Sequence, residues 1–278
     1  MQEAATKLVR ILLPIGAGGA TRACTEAAFG LAERFAAALE VLHPCPPPIQ
    51  RLPYSTELSP LYFEELIDVT RKQVDQEERQ ATDWFEEKLG AHPNTKAELI
   101  TVEGLVGPAV AMRAKVADVT VVPSIAAKED GLWDAARDAA LFHSGRPVLI
   151  VPDEAGGPIG ETVVIAWKDA VEAVRAIAAA APFLATAKRI RLLSIAEEDE
   201  DMSAAAMADY LALAGLPVET EMVALGDREV GDALLTAAGS GVLLVMGGYG
   251  HWRWREWVFG GATLHVLRNT DVPVLMSH

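Results

Sequence analysis

Cysteine is nearly absent from this 278-residue chain, with two residues, Cys24 and Cys45. That excludes a disulfide framework and leaves at most one bridge, with two free thiols in a reducing cytoplasm as the expected state. No Cys/His spacing resembles a zinc site, so no metal ligand is nominated. Positive charge is scarce as well. Lys and Arg number 24 against 39 Asp and Glu, a formal net charge of -15, which disfavours a protein built to neutralise nucleic acid or anionic lipid. One small anion remains compatible, because backbone dipoles can hold it. Mean hydropathy is positive at +0.20, yet no apolar run approaches the roughly 20 residues of a membrane span. The residues around Glu3 and Lys7 carry no signal-peptide core.

What is present is apolar and periodic. Apolar residues reach 51%, enough for sizeable cores, and the length suggests two domains. Val9 to Leu13 and Thr162 to Ala166 are short β-branched and Leu-rich runs, the pattern of strands buried on both faces of a parallel sheet. Each is followed by an Ala-rich helical stretch, Thr21 to Leu39 and Ala170 to Leu184, and then by a second strand, Leu39 to Leu42 and Ile190 to Ile195. This βαβ rhythm occurs twice. The ends of the halves correspond too. Asp118 to Pro123 parallels Gly241 to Gly247, and Arg146 to Val151 parallels Asp271 to Met276. An internal duplication explains the shared order better than coincidence does. The predicted domains are residues 1–153 and 160–278, joined by the Pro- and Gly-rich stretch Pro152 to Pro158. The first is lengthened by a Pro-rich loop, Pro44 to Pro60, and a helix over Leu61 to Leu89. The second has the acidic run Glu197 to Asp201 and a short helix, Ala204 to Ala214.

The residues richest in chemistry follow the strand Leu243 to Met246. They read Gly247-Gly248-Tyr249-Gly250, then nine residues, then Gly260-Gly261-Ala262-Thr263. Glycines after a buried strand let the backbone turn and approach a ligand closely. A Gly pair opening a helix exposes unpaired N–H groups at the positive end of its dipole, and two such groups around one loop form a phosphate cradle.

This G-x2-G-x9-G spacing resembles the nucleotide-binding motif of the universal stress protein family. Leu264 to Arg268, Val272 to Met276 and Thr162 to Ala166 are similar to that family's last helix, last strand and first strand. The resemblance implies an α/β fold: two tandem flavodoxin/Rossmann-like domains, each a five-stranded parallel sheet with helices on both faces. It also implies a cytoplasmic role in stress survival, homodimers, and ATP or AMP binding in the second domain. Gly247, Gly250 and Gly260 then fall on the phosphate-loop glycines. Gly261 stands where the family has Ser or Thr, with Ala262 and Thr263 following and Thr263 offering a hydroxyl. After the first strand, Ala166 and Trp167 lead to Lys168 where the family has an Asp that contacts the nucleoside. Lys168 donates only, so Asp169 is the alternative acceptor. His251 is a further candidate phosphate contact, weighed against a solvated loop His.

The first half departs further. Pro123-Ser124-Ile125-Ala126 replaces the glycines, Pro123 has no N–H to donate, and Gly16 stands at the Asp position. No nucleotide is expected there. Gly16, Gly18 and Gly19 lack the GxGxxG spacing. Trp252, Trp254 and Trp257, interleaved with Arg253 and Arg255, read either as rings docked on the domain or as a flap over a ligand. Lys188, Arg189 and Arg191 read as a solvated edge, and His265 as structural. The last strands, Pro147 to Val151 and Pro273 to Met276, are expected to pair with each other and cover their apolar edges. No Ser/His/Asp elbow, HExxH or Walker motif occurs, so no catalytic residue is nominated. Two other readings are a nucleotide-free interaction module and, behind it, a weak ATPase of the same fold.

Overall fold

The computed structural model describes residues 7–51, 60–124, 131–196, 202–248 and 261–278. The first half runs β1 (Arg10–Pro14), α1 (Arg22–Phe35), β2 (Ala38–Cys45), α2 (Pro60–Ala91), β3 (Ala97–Glu103), α3 (Val106–Ala114), β4 (Val119–Pro123), α4 (Gly131–His143) and β5 (Val148–Val151). The second runs β6 (Thr162–Trp167), α5 (Val171–Ala179), α6 (Ala181–Leu184), β7 (Arg189–Ala196), α7 (Met202–Leu213), β8 (Glu219–Ala224), α8 (Val230–Ala238), β9 (Leu243–Gly247), α9 (Gly261–Asn269) and β10 (Val274–Ser277).

The chain is α/β, with two tandem Rossmann-like halves. Within each, five parallel strands take the same order, β3-β2-β1-β4-β5 and β8-β7-β6-β9-β10. The halves meet where β10 pairs antiparallel with β5, with Leu275 opposite Leu149, and one ten-stranded sheet results. Central strands are apolar on both faces because helices cover both. Ile11, Leu12, Leu13, Val119, Val121, Leu244 and Leu275 are fully buried, and each such side chain contributes about 1.5–3 kcal/mol of burial. One face is covered by α1, α2, α5, α6 and α7, the other by α3, α4, α8 and α9. Both cores run through both halves.

Further contacts tie the halves together. Arg34, at the end of α1, donates to the Ile159 carbonyl and to Thr186 Oγ1. Phe35 meets Phe183 edge to face at 5.6 Å. Phe142 of α4 meets His278 at 5.3 Å.

Local chemistry sets the element boundaries. Thr21 caps α1 through its side-chain oxygen, which accepts from Cys24 N–H. The helix stops at Phe35, short of the predicted Leu39, because Ala36 turns left-handed (φ 49°) and its N–H bonds back to Ala32 and Glu33. The helix predicted over Ala170 to Leu184 breaks at Ala180, since Pro182 cannot supply an N–H to continue the ladder. Strands β3 and β8 escape the sequence reading because they lie at the sheet edges, where exposed polar residues interrupt the apolar run.

Candidate functional site

The strand order changes direction between β6 and β9 in the second half and between β1 and β4 in the first. Open α/β sheets bind ligands in the crevice outside the carboxyl ends of such a pair. At the β6 end, Ala166 pairs with Met246 of β9. Trp167 is buried, and its indole N–H donates to Ser203 Oγ at 2.9 Å. The ring is thereby fixed against the start of α7. Lys168 and Asp169 are both exposed in the turn that follows. Ala170 caps α5 without a side-chain bond, so the first N–H groups of α5 lack side-chain acceptors.

On the other side of the crevice, β9 ends at Gly247. A Cβ there would lie 2.5 Å from the Glu172 carbonyl carbon and 2.6 Å from Ala173 N. Glycine is required because β9 runs directly against the first turn of α5. A Cβ on Gly248 would meet Met276 Sδ at 2.7 Å, and Gly248 N–H donates to the Ser277 carbonyl at 2.9 Å. Gly261 differs. It opens α9, and a Cβ there would meet nothing within 4 Å among the described residues. Ala262 is half-buried and Thr263 buried in that first turn. Gly250, His251 and Gly260, like the Trp-bearing stretch 252–257, lie outside the described residues.

The structure thus brings Trp167, Lys168 and Asp169 to the same end of the sheet as Gly247 and Gly248. Two residues that sequence reasoning passed over help build this wall. Ser203 anchors Trp167, and Glu172 stands in the first turn of α5 with its Cβ against Gly247. Glu172 was legible in principle, since a carboxylate two residues into a helix suits the dipole.

The corresponding crevice of the first half is built differently. Gly16 and Gly19 close a tight turn through reciprocal N–H···O bonds of 3.1 and 3.0 Å. Gly19 has φ 90°, and a Cβ on it would fall 2.2 Å from the Trp84 indole of α2. Leu132 of α4 lies 3.6 Å from the Cβ position of Gly16. These glycines serve a packed turn. Ser124, after β4, is buried with its N–H on the Val151 carbonyl at 3.0 Å. That bond is the counterpart of the one from Gly248 to Ser277.

Other candidates resolve into packing. Cys24 and Cys45 are both free and buried, and burial pushes the Cys24 thiol up to about 12, so it stays protonated and inert. The basic cluster is paired with carboxylates, two of them on β8 and one just before β6. Arg189 bonds Glu219, Arg191 bonds Glu221 at 2.6 Å, and Lys188 meets Glu161 at 2.9 Å. His265 packs on Gly231 of α8 and faces Glu229 at 3.5 Å. A cavity at the linker, lined by Glu26, Gly156, Gly157 and Val242, measures about 70 Å³, room for water only.

Searched as a sequence, the chain matches no family model and no curated protein. Its structure does have relatives. A universal stress protein from Archaeoglobus fulgidus DSM 4304 superposes with a TM-score of 0.70, at 18% identity, over 96% of this chain and 97% of that one. The chain has the fold of a universal stress protein. A functionally unknown protein from Pseudomonas aeruginosa PAO1 is similar at a TM-score of 0.58 and 14% identity, over 99% of this chain and 94% of that one. The universal stress protein fold accounts for the whole length, both halves included. Among the described residues no helix is long and apolar enough to cross a membrane, and no group of three or more His, Cys, Asp or Glu could hold a metal ion.

Proposed function

We propose that this chain is a cytoplasmic universal stress protein acting in stress response, and that its second half binds an adenine nucleotide, ATP or AMP. The observation that carries the reading is the crevice between β6 and β9. There Gly247 ends one strand and Gly248 follows it, Asp169 stands exposed in the turn after the other, and α9 opens on Gly261. Backbone N–H groups at a helix start suit phosphate without a basic patch, which fits a chain of net charge -15. Gly250, Gly260 and His251 complete the cradle in this reading, with Thr263 supplying a hydroxyl near the helix start. Asp169 takes the nucleoside hydroxyl, which Lys168 cannot accept.

The choice of variant decides the test. Gly247→Val collides with α5 and reports on folding rather than on ligand. Gly261→Glu meets no described residue at its Cβ and puts a carboxylate where phosphate belongs in this reading. In equilibrium dialysis with labelled ATP, wild type should bind and Gly261→Glu and Gly250→Val should not, with the melting temperature of Gly261→Glu unchanged. Equal binding by all three sinks the site.

A second reading, an interaction module without nucleotide, draws on one observation. Gly247 and Gly248 already have steric reasons to be glycine. No thermal shift with ATP or AMP on the wild type would favour it.

A further inference from the structure

On the sheet face covered by α1 and α2, strand β2 ends in an imidazole and a thiol set in one buried row. β2 pairs with β3 in unbroken parallel register as far as His43 opposite Thr101 and Cys45 opposite Glu103, so its side chains alternate strictly. Leu39 and Val41 point into the core beneath α1 and α2, and His43 and Cys45 continue that row. His43 is 2% exposed and Cys45 3%. Among the described residues, Nδ1 of His43 has no hydrogen-bond partner. A buried ring nitrogen in that state is uncommon, because it has given up water and gained nothing in return. The thiol forms no disulfide, and Nη2 of Arg51, from the short turn Pro48–Arg51, lies 3.9 Å from its Sγ. Arg51 is engaged elsewhere too, donating to the Pro46 carbonyl at 2.9 Å and to Glu77 of α2 at 2.7 Å. The same three charges, Glu77, Glu78 and Arg51, act on both His43 and Cys45. The imidazole and the thiol therefore share one pocket at the end of β2.

We propose that His43 and Cys45 form a two-coordinate site for a soft monovalent cation of the Cu(I) class, with Nδ1 and Sγ as its ligands. Thiolate and imidazole are the ligand types that suit copper, and thiolate selects the monovalent ion. Residues two apart on a strand lie about 6.6 Å from each other on one face. Bonds of about 2.0 Å to nitrogen and about 2.3 Å to sulfur let one ion bridge that gap when the two side chains lean together. Zinc is a poorer fit, since a structural zinc takes four ligands and among the described residues no group of three or more His, Cys, Asp or Glu could hold an ion. A soft monovalent ion is satisfied by two ligands in a line. Charge also favours a cation. Glu77 and Glu78 against Arg51 leave one net negative charge around the pair. Binding exchanges one proton for one metal ion. The Cys45 S–H bond breaks, a sulfur–metal bond forms, and the proton passes to solvent. His43 stays neutral with its proton on Nε2 and donates the Nδ1 lone pair, and no electron changes hands.

Anaerobic titration of the full chain with Ag(I), and with Cu(I) against a chromophoric chelator, tests this without any nucleotide present. Wild type should take up one ion per chain, release one proton and melt at a higher temperature once loaded. Cys45→Ser should abolish the binding, and His43→Leu should weaken it by more than about tenfold, both with unchanged circular dichroism. Cys24→Ser, which alters the other buried thiol, on α1 beside Thr21, should bind as wild type does. X-ray absorption of the Cu(I)-loaded wild type reads the site with no substitution at all, and should show one sulfur and one nitrogen at the metal. A wild type that takes up neither ion overturns the proposal. So does binding that survives Cys45→Ser or His43→Leu, binding lost in Cys24→Ser, or a metal bound by sulfur alone.

Discussion

The two halves share a strand order and differ at the positions that decide what each can do. At the carboxyl end of β1, a reciprocal turn holds Gly16 and Gly19, and Trp84 and Leu132 pack against it. At the carboxyl end of β6, Trp167 is drawn aside to Ser203 and the turn at Lys168 and Asp169 stays exposed. A duplicated fold keeps its layers while the side chains over the switch point diverge. One crevice is filled by packing, and at the other the turn after the strand stays exposed.

The contrast extends into the sheet. Strand registers place Glu40 of β2 and Arg191 of β7 at equivalent positions, beside Leu12 and Val164. Glu40 is 1% exposed and takes a bidentate bond from Arg113 of α3, with Arg10 at 3.7 Å. Arg191 instead donates to the Ala237 and Ala238 carbonyls at the end of α8 and to Glu221. One half buries a carboxylate and brings guanidinium groups to it, and the other satisfies helix carbonyls from the strand next to the edge.

The largest expected effect comes from breaking that pairing. Arg113→Ala leaves Glu40 buried with only the distant, partly exposed Arg10, and should cost about 3–5 kcal/mol in urea unfolding. Arg191→Met, which strands no buried charge, should cost about 1–2 kcal/mol. Equal losses would erase the distinction between the halves.

A smaller effect is pH-dependent and confined to the first half. His43 is buried on β2 with Nδ1 unpartnered, where its counterpart on β7 is Ser194. Burial lowers its pKa below the ordinary 6.5, against the opposing pull of Glu77 and Glu78 and with Arg51 acting in the same sense as burial. The unfolded chain therefore takes up a proton first as pH falls. The contribution of neutral His43 is complete above pH 6.5 and is lost as pH drops from there toward the folded value. Wild type should lose more urea stability than His43→Ser between about pH 7 and about pH 5.5. Parallel losses would show that His43 does not sense pH.

Much of this was legible before any coordinates. Central strands read clearly because a parallel sheet covered on both faces writes itself as unbroken runs such as Ile11-Leu12-Leu13. The matching order of those runs exposed the duplication. Edge strands β3 and β8 did not read, since half of each faces solvent and only tertiary pairing distinguishes ETEMVA from a loop. At the crevice, spacing alone marked Gly247, Gly250 and Gly260, yet spacing cannot separate a glycine that admits ligand from one that admits a neighbouring helix. Gly247 abuts α5, and Gly19 lies under Trp84, a contact made across 65 residues of chain.

The stoichiometry of nucleotide binding tests the central claim most directly. Isothermal titration of the full chain with ATP should give one site per chain, abolished by Gly261→Glu and unaffected by Trp84→Phe. Two sites per chain, or one site that survives Gly261→Glu, would contradict the assignment of an open crevice to the second half and a packed one to the first.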